Sequence, residues 1–381
     1  MPLRVQIAPA LLEWAVERSG LGGDTIARRF PKYESWLDGN VKPTLKQLEG
    51  FAKATYTPVG YLMLPLPPRE DLPIPDLRTV RDARVLHPSA DLLDTIYTCQ
   101  QRQEWYRDFA RNHGFDPVDF VGSAELTSSV EETAAEMRNL LGLDLDERSS
   151  MSTWSEALRA FIAAADDTGV LVMVSGVVGS NNRRKLDPEE FRGFALSDRF
   201  APLVFINGSD SKSAQMFTLA HELAHLWLGE TALSDVGPRT HPTQRVERWC
   251  NEVAAELLVP LALIRADFDS TAEVRDEVSR LSRRFKVSTL VVLRRLHDAG
   301  HLDRARYWAA YDNELKRLRQ LKKGSGGDFY LTQGARLGKR FARSLVVSTL
   351  EGQTLHRDAF RLLGFSKVKT FHELGRSLGV M

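Results

Sequence analysis

The stretch FTLAHELAHLWLG, residues 217–229, sets the reading of the chain. It carries His221-Glu222-x-x-His225 inside an apolar helical frame that ends at Gly229. Residues four apart share one face of a helix, so both imidazoles can point at one metal ion. Neutral imidazole nitrogen is a good donor to zinc. A catalytic zinc takes three protein ligands and keeps a fourth position open to water. Glu222 adjoins the same face and can accept a proton from water there without being a ligand. The pattern points to metal-assisted hydrolysis. The competing reading is a packed helix with two ordinary histidines, and the helical context weighs against it.

The third ligand is expected on the next helix, RVERWCNEVAAELLVP, residues 245–260. Val246, Cys250, Val253, Ala254 and Leu257 form its apolar face at about 100° per residue. Glu247 lies at the edge of that face, whereas Glu252 and Glu256 fall on the opposite side and are expected in solvent. A carboxylate at the rim of a buried face is costly without a partner. A metal supplies one, so Glu247 completes the candidate ligand set with His221 and His225. Asn251, one turn after Glu247, is placed to hold a histidine ligand from outside. Peptide hydrolysis also needs an oxyanion stabiliser. His241, between the two helices, is the candidate, against the alternative of an exposed loop histidine. Cys250 reads as a packing residue, and no orienting partner marks a Cys-His nucleophile.

Before the metal helix the texture is that of strands. GVLVMVSGVV (169–178), FRGFAL (191–196) and PLVFIN (202–207) are short apolar runs read as three strands of a small sheet. FRGFAL or PLVFIN is the expected exposed edge, able to pair with an extended peptide through backbone hydrogen bonds. Asp210 or Ser211 is placed to cap the metal helix. Helices are expected near 90–112, 154–167, 243–258, 272–285 and 288–298, the last two forming a helix-turn-helix-like pair. KKGSGGD (322–328) reads as a flexible linker.

The N-terminal 64 residues read as four short helices around Leu11, Leu12, Ala15, Ile26, Trp36, Leu48 and Phe51, punctuated by Gly22-Gly23, Pro31, Gly39 and Pro43. LPLPPREDLPIPDLR (64–78) follows as a semi-rigid extended connector. Residues 1–60 hold eight Lys/Arg against six acids, a weak field for phosphate-driven binding. Sequence-specific DNA binding and a docking role for this segment both stay open.

Over its 381 residues the chain has 50 acidic against 51 basic side chains, which excludes a polycation that coats nucleic acid. Cys99 and Cys250 are the only cysteines, too few for a disulfide framework and suited to a reducing cytosol. The N-terminus lacks the apolar core of a signal peptide, and no run of about 18 apolar residues marks a membrane span. A cytoplasmic protein with no membrane partner is expected.

FTLAHELAHLWLG followed by VERWCNEVAAELLVP resembles the ImmA/IrrE metallopeptidases. FPKYESWLDGNVKPTLKQLEGFAKATYTPVGYLMLPLPP (30–68) is similar to the XRE-type helix-turn-helix fused to many of them. LPIPDLRT, RQEWYRDF and the tail after Gly327 also look like that fused subfamily. The resemblance implies an α+β, mostly helical fold. Residues 1–64 would be an XRE-like helix-turn-helix bundle, 65–90 a proline-rich linker and 91–148 a helical connector. Residues 149–265 would form a zincin-like metallopeptidase core with a small β-sheet, 266–321 a helical subdomain, and 322–381 a linker and helical tail. It further implies a zinc endopeptidase, manganese not being excluded, that cleaves a helix-turn-helix repressor or antitoxin-like protein. His221, His225 and Glu247 would be its ligands and Glu222 its base. Fused members often neighbour PIN-type ribonucleases, which suggests a toxin–antitoxin or phage-related setting. The alternative from another class is a DNA-binding regulator or antitoxin whose metal site is structural or vestigial.

Overall fold

A computed structural model describes residues 3–77, 88–234, 244–320 and 336–381. The chain divides into two compact units, residues 1–73 with 80–97, and residues 74–79 with 98–381.

In the first unit, helices α1 (Pro9–Ser19), α2 (Gly23–Arg29), α3 (Tyr33–Leu37) and α4 (Leu45–Ala54) precede a 3₁₀ turn at Val59–Met63. Their core contains Leu11, Leu12, Ala15, Ile26, Trp36, Leu48 and Phe51, the residues singled out by periodicity. Gly20 ends α1 at φ 64°, a left-handed conformation that glycine adopts without strain. Thr44 and Gln47 open α4 with a capping box, satisfying two otherwise orphaned backbone donors.

The second unit takes in α5 (Ala90–Asn112) from residue 98 onward, then α6 (Val130–Leu141), α7 (Leu145–Ser150) and α8 (Trp154–Asp167). Strands β1 (Leu171–Ser175), β2 (Gly193–Leu196) and β3 (Leu203–Asn207) lead into α9 (Lys212–Leu228). A fourth strand, β4 (Ala232–Ser234), precedes α10 (Arg245–Leu258). Helices α11 (Leu261–Asp267), α12 (Val274–Phe285), α13 (Thr289–Asp298) and α14 (Arg304–Gln320) follow. The chain closes with α15 (Lys339–Leu350), α16 (His356–Leu363) and α17 (Val368–Ser377). The expected linker 322–328 lies outside the described residues.

The sheet is mixed, in the order β1-β3-β2-β4, with β1 parallel to β3 and the other pairs antiparallel. This corrects the expected edge: FRGFAL and PLVFIN are β2 and β3, both interior, and the edges are β1 and β4. The error has a physical source. Every residue of β1, β2 and β3 is buried, so all three read as continuous apolar runs that do not reveal their order.

One face of the sheet, with Val172, Val174, Ala195, Val204 and Ile206, packs into a core shared with α8 and α9. On the other face Phe194 stacks on Phe205 with ring centroids 5.0 Å apart. From α5, Gln103 donates to the carbonyls of Leu196 and Ala201 at 2.8 and 2.9 Å, and Arg107 pairs with Asp198 at 2.6 Å. Those bonds fix the turn between β2 and β3, and with it the strand over α9.

Candidate metal centre

Helix α9 starts at Ser211, whose hydroxyl accepts from the Ala214 N–H. Asp210, the other candidate cap, instead pairs with Arg192 at 2.9 Å. Gly229 closes the helix at φ 73°, and its close approach to Gly122 leaves no room for a side chain, a Cβ there standing 3.1 Å from the Gly122 Cα. The loop before α6 holds that end. Gly122 and Ala124 donate to the Leu226 and Trp227 carbonyls at 3.0 and 2.9 Å, and Phe120 stacks on Trp227. The last turns of α9 are thereby fixed, and they carry His221, Glu222 and His225.

Helix α10 packs against α9 and brings Glu247 to the histidines. Nε2 of His221 and Nε2 of His225 lie 3.1 Å apart. Glu247 Oε2 is 3.4 Å from His221 Nε2, and Oε1 is 3.1 Å from His225 Nε2. A tetrahedral zinc with bonds of about 2.0–2.1 Å sets its ligand atoms roughly 3.3–3.4 Å apart. The three side chains therefore span the edges of such a site, and the donor set suits a divalent metal. All three are buried, where packed imidazoles and a carboxylate without an ion are costly.

Glu222 is fully buried beside this group. Burial, and next the negative charge of Glu247, push its carboxyl well above the ordinary value, while a long 3.5 Å contact from the Ser234 hydroxyl acts the other way. Oε1 of Glu222 has no hydrogen-bond partner among the described residues. Burial holds His225 down, toward the neutral ring that donates to metals. Burial acts to raise Glu247, yet the two imidazoles outweigh it and hold the carboxyl down at about 2, in the anionic form. A buried acid pushed upward beside two imidazoles and a carboxylate is a candidate proton acceptor at a metal.

Ser234 was not singled out from the sequence. It sits on β4 with its hydroxyl 3.1 Å from His225 Nε2. Three residues of β4 are too short a run to carry a strand period, so nothing in the sequence marks them. Gly193 on β2 was also passed over, although a Cβ there would stand 3.1 Å from Glu222 Oε1. Asn251 is half-buried, and among the described residues Nδ1 of both histidines is without a hydrogen-bond partner. His241 lies outside the described residues. Cys250 is buried, with burial first and Glu247 next pushing its thiol well up.

Glu256, expected in solvent, is buried. It pairs with Arg295 of α13 and accepts from the Leu261 N–H. The expectation assumed one buried face, but α10 is covered by α6 as well as α9. Three guanidiniums also satisfy the carbonyls at its C-terminus: Arg138 on Glu256, Arg148 on Leu258 and Arg295 on Val259.

Among the described residues no helix is long and apolar enough to cross a membrane. No curated protein matches the chain. Residues 337–377 match a domain of unknown function, DUF8813, which covers α15 to α17. Residues 165–297, the stretch that holds His221, Glu222, His225 and Glu247, are similar to the IrrE N-terminal-like domain, Peptidase_M78, whose model they match.

Proposed function

We propose that the protein is a zinc-dependent endopeptidase of the ImmA/IrrE type that cleaves a regulatory protein, a helix-turn-helix repressor or an antitoxin-like chain. The observation that carries this reading is the 3.1–3.4 Å spacing of His221 Nε2, His225 Nε2 and the Glu247 oxygens, with Glu222 buried alongside.

His221, His225 and Glu247 would hold the metal, which when bound supplies Lewis acidity toward a carbonyl oxygen. Glu222 accepts the proton of the attacking water at a carboxylate oxygen and returns it to the leaving amine. Ser234 hydrogen-bonds His225 and, weakly, Glu222, limiting where either can swing. His241 remains the proposed oxyanion stabiliser; the outer-partner role expected of Asn251 has no hydrogen bond behind it among the described residues, where Nδ1 of both histidines lacks a partner. The α1–α4 bundle, with its own core and modest charge, suits docking of the protein substrate.

The test is metal content with a matched variant. Elemental analysis of purified wild type should give one equivalent of zinc, absent from His221→Ala. Zinc-loaded wild type should cut a repressor-like partner, and Glu222→Gln should retain the zinc and leave the partner whole. Wild type that takes up no transition metal when zinc is supplied overturns the reading.

A further inference from the structure

Both edges of the sheet are covered. At β1 the chain approaches so closely before α15 that a Cβ on Gly338 would stand 2.8 Å from the Val172 carbonyl oxygen. At β4 the cover is an isolated bridge. Asp76 pairs in parallel with Leu233. The Leu233 N–H donates to the Pro75 carbonyl at 2.9 Å, and its carbonyl accepts from the Leu77 N–H at 3.0 Å. Ile74, at the start of this stretch, is buried. These residues belong to the same compact unit as the metal centre.

The place of this pairing gives it meaning. Leu233 is followed by Ser234, whose hydroxyl reaches His225 Nε2 and Glu222. One strand residue advances the chain by about 3.3 Å. The outer edge of β4 is thus the backbone ladder next to the metal ligands, and β2 and β3 are interior. An extended polypeptide entering this site finds its backbone donors and acceptors there. In this structure Pro75 and Leu77 already use them. Pro73 and Pro75 cannot donate hydrogen bonds to the strand beside them.

We propose that Ile74–Leu77 is an internal strap on the substrate edge of the peptidase. It occupies β4, and an extended protein substrate displaces it and pairs with Leu233 in its place. The inference rests on the peptidase reading above, and its test separates the two. The strap taxes binding, because the apparent affinity for substrate falls by the fraction of molecules whose edge is free. Loosening it therefore tightens binding without new contacts.

Leu77→Pro removes the N–H that Leu233 accepts from and leaves an extended backbone allowed. Leu77→Ala keeps that N–H and serves as control. Each is placed in zinc-loaded, full-length Glu222→Gln protein, where the probe stays uncut. The probe is fluorescein-labelled β-casein, an unfolded and extended polypeptide, with binding read by anisotropy. Leu77→Pro should bind about threefold or more tighter than its parent, and Leu77→Ala should match the parent. Hydrogen exchange should show the Leu77 amide of the parent losing protection on casein addition while the Leu233 amide keeps its own. If Leu77→Pro fails to fold, Ile74→Ser loosens the same segment by exposing a polar group at its buried anchor, with the same expected direction. Equal affinity in parent and loosened variants, absent binding in both, or a Leu77 amide that stays protected at saturating casein overturns the strap. Casein that binds more tightly to the loosened variant, yet is cut by no zinc-loaded protein with Glu222 intact, sustains the strap and counts against the peptidase reading.

Discussion

Gly193 stands against Glu222 with no space for a side chain: a Cβ at residue 193 would lie 3.1 Å from Glu222 Oε1. The same atom would meet Thr218 Cγ2 at 2.6 Å and the Phe205 carbonyl oxygen at 2.8 Å. The glycine lets β2 lie directly on α9, and so sets the depth at which Glu222, the proposed general base, is buried. Its φ is not in the left-handed region, so the demand is for space and not for backbone freedom.

Gly193→Ala should therefore cost about 1–3 kcal/mol, the usual cost of overpacking, and lower the proposed peptidase activity by displacing Glu222. Adding Thr218→Ala should return only part of the stability, since it relieves the shortest contact and leaves the clash with the Phe205 carbonyl. Guanidinium titration of the three chains checks the order. A Gly193→Ala protein as stable and active as wild type would refute the packing argument.

The burial of Glu222 has a sign that pH reveals. In the unfolded chain this carboxyl ionises near 4.5, whereas in the fold burial and the charge of Glu247 raise it. Below 4.5 both states hold the proton and the contribution is fully present. Above it the unfolded chain has released a proton that the folded chain keeps, so stability falls as pH rises toward the raised value. In metal-free protein the stability of wild type relative to Glu222→Gln should decline from pH 4.5 upward. Thermal denaturation of both across that range measures the difference. Taking the difference cancels groups common to the two, including Glu247, whose own contribution is lost as pH falls from 4.5 toward about 2. A difference flat with pH would mean that the folded carboxyl is not raised.

Glu247 is the ligand candidate that a neutral isostere tests best. Glu247→Gln keeps the volume between the imidazoles and removes the anionic oxygens that lie 3.1 and 3.4 Å from their nitrogens. Zinc affinity should fall by more than the roughly 10–100-fold that attends loss of an outer partner. Competition with a chromophoric chelator gives the value. Undiminished affinity would place the third ligand elsewhere.

Much of the centre was legible because α9 and α10 obey local rules. Ser211 caps α9 with its hydroxyl and Gly229 ends it in a left-handed conformation, and the wheel of α10 put Glu247 at the rim of its apolar face. The rest depends on contacts between segments far apart in the chain. Residues 232–234 become a strand only by pairing with β2, and Leu233 gains its outer partner from Asp76, far back in the proline-rich stretch. Gly193 looks like any glycine in a strand until α9 is laid against it. A helical wheel also assumes one buried side, which is why Glu256 was misplaced.

Glu256 offers the last prediction. Its carboxylate is buried with the Arg295 guanidinium, while Arg138 binds the backbone carbonyl of Glu256 itself and Arg148 that of Leu258, two residues on. Burial, and then the neighbouring charge of Arg138, holds Arg148 down at about 10, so this end of α10 is short of negative charge. Removing one member of such a pair strands the other in a poor solvent and costs more than the pair contributes when intact. Arg295→Met should destabilise the fold by about 3–5 kcal/mol. Glu256→Gln should also destabilise, by leaving buried guanidiniums without their counter-charge. Glu256→Gln with Arg295→Met should be milder than the sum of the two, because neither strands a full charge against the other. A urea double-mutant cycle measures that coupling. Strict additivity would mean that the two side chains stabilise α10 independently, Arg295 through the Val259 carbonyl and Glu256 through the Leu261 N–H.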